Sequence, residues 1–163
     1  GSCIAACLYD PAAQIIGMNH FLLVERRHSE AESILGSEAG RYGINAMELL
    51  INQMLAAGAK RARLRAKAFG GADVLRVPEL DKKTVGQMNQ AFIRDFLAKE
   101  RIPIEASDLG GHHGRVIHFF TQEFAVYVQR VRGRKESEVL REEKAFFQAE
   151  LKAHAAKQSA EFW

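Results

Sequence analysis

Ile4-Ala5-Ala6-Cys7-Leu8-Tyr9 is an apolar run that stops at Asp10-Pro11, and Ile15-Ile16-Gly17 with Phe21-Leu22-Leu23-Val24 takes it up again. Asp-Pro is a turn signal, and two short apolar runs around one turn read as a β-hairpin. A hairpin this close to the start fixes the first two strands of a sheet and obliges later elements to cover it. It also sets Cys3 at the mouth of one strand and His20 inside the other, 17 positions apart. A thiol and an imidazole brought together in this way are the nucleophile and base of a cysteine-dependent reaction. The opposing reading is a buried strand cysteine, because free Cys behaves as a small hydrophobe. An imidazole ion-paired with Cys3 would lower its pKa and make it quick to alkylate near neutral pH. Cys7 lies deeper in the first strand and reads as core. Asn19 is next to His20 and points to the opposite sheet face, which makes it structural.

The rest of the chain alternates helix and strand before ending in strands and a charged tail. Residues 28–40, from His28 to Gly40, are small and polar and read as a long loop. From Arg41 to Ala57, Ile44, Met47, Leu50, Ile51, Met54 and Leu55 keep helical spacing, and Gly58 ends the helix. Arg61 to Phe69 alternates strictly, with Ala62, Leu64, Ala66 and Ala68 on one face and Arg61, Arg63, Arg65 and Lys67 on the other. That pattern predicts a strand with one buried face. Gly70-Gly71 turns the chain, and Asp73 to Lys83 is a loop broken at Pro78. Thr84 is the N-cap of a helix carrying Val85, Met88, Phe92 and Phe96. A short strand starts at Ile102-Pro103-Ile104, Asp108 to Gly114 is a glycine-rich turn, and Arg115–Thr121 and Phe124–Val131 are two more strands. Lys135 to about Lys157 is a charged helix with an apolar stripe of Leu140, Phe147, Leu151 and Ala155, beside Phe146 and Val139. This order predicts a mixed α+β domain rather than a doubly wound one.

At 163 residues the chain has the size of one domain. No apolar run is long enough to span a bilayer and no charged-then-apolar leader opens the chain, so cytoplasmic residence without membrane insertion is expected. Cys3 and Cys7, four positions apart in a strand, stand about 13 Å apart at about 3.3 Å per residue. That is beyond disulfide reach, and free thiols are expected. No Cys-x-x-Cys or His-x-x-x-His pair supports a metal, and none is expected. His112-His113 is an adjacent pair in a glycine loop; it and His28, His118 and His154 read as surface or structural histidines. The glycine pairs at 70–71 and 110–111 lack the phosphate-loop pattern, and their glycines serve φ > 0 turns or close packing. The net charge of +3 is mild. The basic clusters Arg61, Arg63, Arg65, Lys67 and Arg130, Arg132, Arg134, Lys135 lack interleaved stacking aromatics, so no nucleic-acid partner is expected.

Several ordered motifs resemble one family. Gly1-Ser2-Cys3 and Gly17-Met18-Asn19-His20 are followed by Tyr42-Gly43, Ala46 to Ile51, Met54-Leu55 and Gly58-Ala59. Ala66 to Ala72, Gly86 through Asn89 preceding the second helix, Asp108 to Gly111 and Gly114-Arg115 complete the series. Over Gly1 to about Val128 these are similar to the bacterial chemoreceptor glutamine deamidases, the CheD family. The resemblance implies a layered α/β/β sandwich, with residues 1–134 as the catalytic domain and 135–163 as an added C-terminal helix. It implies hydrolysis of glutamine side chains to glutamate on chemoreceptor cytoplasmic helices, with Cys3 as nucleophile and His20 as base. No cofactor is implied. Oxyanion donors fall at Ser2 and the backbone of Cys3, and Gly70, Gly71, Asp108, Gly110, Gly111 and Arg115 border the substrate cleft. The family's third residue, a threonine several positions upstream of the cysteine that orients the histidine, precedes Gly1. Implied partners are methyl-accepting chemoreceptors and a CheC-type chemotaxis phosphatase. A second reading is an adaptor that binds receptors or that phosphatase with little catalysis; Cys3 and His20 together favour the enzyme. For the basic face of Arg61, Arg63, Arg65 and Lys67 the expected partner is the Glu-rich tail (Glu136, Glu138, Glu142, Glu143), ahead of an open face attracting an acidic receptor.

Overall fold

Asp10 makes the first turn and anchors it. In the computed structural model, which describes residues 1–23, 34–74, 84–131, 137–138, 140–149 and 152, strands β1 (Ile4–Asp10) and β2 (Ile15–Phe21) pair antiparallel. Asp10 Oδ1 accepts the backbone N–H groups of Ala12 and Ala13 at 3.0 Å each, closing the turn on itself. The carboxylate is fully buried. Burial is tolerated because the Arg63 guanidinium grips it from Nε and Nη2 at 2.7–3.0 Å and Lys60 N–H donates at 2.8 Å.

That grip shortens the next strand. The alternation from Arg61 predicts a strand throughout, but Arg61–Arg63 is a 3-10 turn and β3 spans Arg65–Gly70. The carboxylate at Asp10 draws residues 60–63 around itself, an attraction the alternation does not contain. Among the described residues, each of the four basic residues has a partner outside the tail. Arg61 pairs with Glu100, Arg63 with Asp10 and Arg65 with Glu105. Lys67 Nζ donates to the Phe124 carbonyl and lies 5.5 Å from the Tyr9 ring centroid. Among the described residues these partners come from four other segments rather than from the tail glutamates, and Glu136 lies outside the described residues.

Two helices cover one face of the sheet. α1 (Glu38–Ala56) begins before the predicted Arg41 because Ser37 caps it, its hydroxyl accepting Gly40 N–H at 3.0 Å. α2 (Val85–Lys99) starts at Thr84, which forms a reciprocal capping box with Gln87. Gly86 to Asn89 is thus the first part of α2 rather than a segment preceding it. The loop residues from His28 to Ser33 and those around Pro78 lie outside the described residues.

β4 (Ile104–Leu109) runs parallel to β3, and the sheet order is β2-β1-β3-β4. The register Ile4↔Gly70, Ala6↔Ala68, Leu8↔Ala66 puts the even positions of β1 on one face, where they join Met47, Ile51, Val85, Phe92 and Ile93 in the core. Asn19 points to that helix side, its amide donating to Ala46 O at 3.2 Å, in keeping with a structural role. The odd positions Cys3, Ala5, Cys7 and Tyr9 face away from the helices. Near Tyr9 that face is covered by a second, two-stranded sheet of β5 (Arg115–Phe120) and β6 (Ala125–Arg130). Phe124, in the turn of this hairpin, stacks on Tyr9 at 4.7 Å. The architecture is mixed α+β, helices against one sheet face and a hairpin on the other. Described residues between 137 and 152 are helical (α3), and Phe147 of α3 packs against the core. Val139, Leu151 and Ala155 of the predicted stripe or beside it, together with His154 and the boundary at Arg134, lie outside the described residues.

Candidate active site

Cys3 stands at the entrance of β1, where Gly70 admits its backbone. Gly70 has φ +114, and a Cβ built on it would stand 2.0 Å from the Cys3 carbonyl oxygen. Only glycine permits both the torsion and the approach. The next N–H, from Gly71, donates to that carbonyl at 2.9 Å, and Ala72 N–H donates to Gly1 O at 2.8 Å. Behind this loop, Gly110 N–H donates to Gly70 O and Asp73 N–H to Gly111 O, both at 2.8 Å. Gln90 of α2 donates to Gly71 O at 2.8 Å. The two glycine turns thus form successive backbone layers that hold the nucleophile's main chain.

His20 reaches the same place from β2. It lies opposite Ala5 in the register, so it shares a sheet face with Cys3 and is one diagonal step away. Such neighbours have Cα atoms about 7–8 Å apart, within reach of an imidazole and a thiol that reorient toward each other. The end of β2 is held by Asn89, a fully buried side chain in α2. Asn89 Oδ1 accepts Leu23 N–H at 2.8 Å while its Nδ2 donates to Val85 O at 2.8 Å. Cys7 is completely buried beneath this face. Both cysteines are free.

Both members of the pair are neutral at pH 7. Burial first, and the negative charge of Glu143 second, push the Cys3 thiol up to about 12. Burial also holds the His20 imidazole below its ordinary value. This is the reverse of the depressed thiol expected from a Cys-His pairing. The reason is visible above the pair: α3 lies over it. Glu143 Oε2 accepts the backbone N–H and the hydroxyl of Ser2, each at 3.2 Å, and Glu143 Oε1 is 2.9 Å from the Gly1 nitrogen. The Phe146 ring lies 6.2 Å from the His20 ring, tilted by 38°. Ser2 is itself buried.

Asp108 and Arg115 stand with the glycine turns. Arg115 Nη2 donates to Asp108 Oδ1 and to Gly110 O, both at 2.7 Å, and Arg130 Nη2 lies 3.8 Å from Asp108 Oδ2. Their visible work is to tie β5 and β6 to β4 and to hold the 110–111 turn that backs Gly70. A surface hollow of about 550 Å³ lined by Phe120, Thr121, Gln122, Glu123 and Tyr127 lies at the β5–β6 turn and shares no residue with the Cys3–His20 cleft. No cluster of three or more His, Cys, Asp or Glu suited to a metal occurs among the described residues.

Sequence reasoning pairs Cys3 with His20 but misses Glu143, Phe146, Asn89 and Gln90 as parts of the site. Glu143 is 141 positions from Ser2, and no local pattern links them. Asn89 and Gln90 offer a weak signal: two amides in adjacent positions of a helix whose buried face is otherwise apolar.

A family model described as CheD chemotactic sensory transduction matches residues 23–130. A probable chemoreceptor glutamine deamidase CheD 1 from Geobacter sulfurreducens is 44% identical over 166 residues, covering 100% of this chain and 83% of that protein. A probable chemoreceptor glutamine deamidase CheD 2 from Shewanella oneidensis is 53% identical over 130 residues, 78% of this chain and 64% of its own length. A probable chemoreceptor glutamine deamidase CheD from Stenotrophomonas maltophilia is 50% identical over 145 residues, 89% of this chain and 69% of its own length.

Proposed function

The chain belongs to the CheD family of chemotactic sensory transduction proteins, and from that premise we propose that it is a chemoreceptor glutamine deamidase with Cys3 as nucleophile and His20 as general base. The observation that supports the residue assignment is that Cys3 and His20 share one sheet face, one diagonal step apart, beside Ser2, which holds a carboxylate. The donors of Ser2 hold a glutamate side chain, the product of the proposed reaction, over the only sheet face that presents both a thiol and an imidazole among the described residues.

The chemistry follows from the protonation states. With the thiol and imidazole both neutral, His20 takes the Cys3 proton as sulfur attacks the glutamine Cδ. The tetrahedral oxyanion is stabilised by N–H and O–H donors already aimed into the cleft, those of Ser2. The imidazolium returns the proton to the amide nitrogen, the C–N bond breaks, and ammonia leaves a γ-glutamyl thioester. Water, deprotonated by the same imidazole, attacks the thioester, and sulfur departs and regains its proton. The sum is amide plus water giving carboxylate and ammonium.

In this reading the substrates are chemoreceptor cytoplasmic helices, and the reaction takes place in the cytoplasm. Among the described residues no helix is long and apolar enough to cross a membrane. Residues 1–134 form the catalytic unit and 135–163 an added helix. A CheC-type phosphatase is a further partner on the strength of the family resemblance. Peptide mass spectrometry of receptor cytoplasmic fragments incubated with the protein tests the reading. Specific glutamines should convert to glutamate with wild type and stay unconverted with Cys3→Ala. Conversion by Cys3→Ala at the wild-type rate, or none by wild type, rejects it.

A further inference from the structure

The helix over the dyad carries, at consecutive inward positions, the two groups a substrate helix would need. Glu143 and Phe146 are three residues apart and so lie on one face of α3. Glu143 has only 11% of its side chain exposed, although it is a carboxylate on the outermost layer of the fold. One of its oxygens is taken up by donors just ahead of β1, Ser2 N–H and Ser2 Oγ. The fit is close enough that a Cβ on Gly1 would stand 1.2 Å from Glu143 Oε1. Phe146 covers His20 while remaining 39% exposed at its outer edge. Phe147, the next residue, packs on the core and holds the helix down.

On the reading of the protein as a glutamine deamidase, we propose that α3 occupies the seat of a substrate helix, with Glu143 held where a product glutamate is held and Phe146 closing the cleft over His20. Three consequences follow. The resting enzyme is covered by its own C-terminal helix, and a receptor helix gains entry by displacing it. The cleft selects helices that present glutamine with a large apolar side chain three positions later on the same face. The covering helix also keeps the thiol inert, because its carboxylate adds negative charge beside Cys3.

The seat has a direct test in the full chain. In Glu143→Gln the carboxylate becomes the amide that the enzyme attacks. Thiolate addition at its Cδ, loss of ammonia and hydrolysis of the thioester then restore glutamate at position 143. Peptide mass spectrometry should find residue 143 converting to glutamate with time, at a rate independent of protein concentration. The double variant with Cys3→Ala should retain the amide. A second measurement does not depend on turnover. Phe146→Ala and Glu143→Ala should each raise the alkylation rate at Cys3, followed by peptide mapping with iodoacetamide, several-fold.

Unchanged alkylation in both variants overturns the proposal, as does an amide that persists at position 143 in a preparation that deamidates receptor fragments. If alkylation rises while no receptor fragment is ever deamidated, the covering helix stands and the deamidase reading falls.

Discussion

Cys3 and Cys7 are both buried thiols on one sheet face, yet their surroundings separate their roles. Cys7 has Met18 and Lys67 opposite it in the two ladders and lies under the face. Cys3 sits at a strand entrance, with Ser2 and His20 beside it. Cys7→Ala should keep most deamidation of receptor fragments and cost stability on the order of 1 kcal/mol, the scale of removing a small buried group. The pH profile of Cys3 alkylation carries the second expectation. A thiol held up at about 12 is neutral at pH 7, and raising the pH should speed alkylation about tenfold per unit without levelling off by pH 10. A plateau near pH 8 would show that the thiolate is already formed and that burial does not govern it. Among the residues missed by sequence reasoning, Asn89 has the clearest physical reason to be there. Without its side-chain oxygen the buried Leu23 N–H at the end of β2 has no acceptor.

The glycine turns act at the level of elements, since each joins two of them. Gly70 ends β3 and touches the main chain that enters β1; Gly110 follows β4 and donates to Gly70 O. Gly70→Ala should cost roughly 1–3 kcal/mol for the backbone torsion alone. The contact with the Cys3 carbonyl adds displacement of the nucleophile, so activity should fall further than the loss of stability explains. Thermal melts and receptor deamidation measured on the same preparation check this. A variant that is destabilised yet fully active per folded molecule would remove Gly70 from the positioning of Cys3. The short β3 has a related cause. Arg63 leaves the strand to reach Asp10, because a buried carboxylate attracts a guanidinium more strongly than one further ladder pair holds it.

For the molecule as a whole, acid is the sensitive direction. Arg63, ahead of the backbone donors, holds the Asp10 carboxyl far below the usual carboxylate range, and Arg115 lowers Asp108 in the same sense. For a depressed carboxyl the folded state binds its proton less readily than the unfolded chain does. Its stabilisation is therefore complete above the ordinary carboxylate pKa of about 4 and is lost as pH falls through the lower folded value. Urea midpoints should hold from pH 7 to 5 and decline below pH 4, and Arg63→Ala should flatten that decline while lowering stability at pH 7. An equally steep decline in Arg63→Ala would place the acid sensitivity elsewhere. The pairing of Arg61, Arg63 and Arg65 with carboxylates also means that charge reversal at Arg63 acts on folding, rather than on the salt dependence of receptor binding.

The amino-acid sequence alone determined the hairpin, the helix start at Thr84 and the helix stop before Gly58, and it set Cys3 and His20 on the two strands of that hairpin. Each rests on interactions within a few residues or on a period that local geometry imposes, and motif order supplied the family. Tertiary structure decided what lies 53 to 141 positions apart: Arg63 on Asp10, Asn89 on Leu23 and Glu143 on Ser2. Buried polar groups need partners wherever in the chain those occur. Helical periodicity marks Phe147 as apolar and Glu143 as charged, but only the packed fold puts that carboxylate against Ser2 and the neighbouring ring of Phe146 over His20.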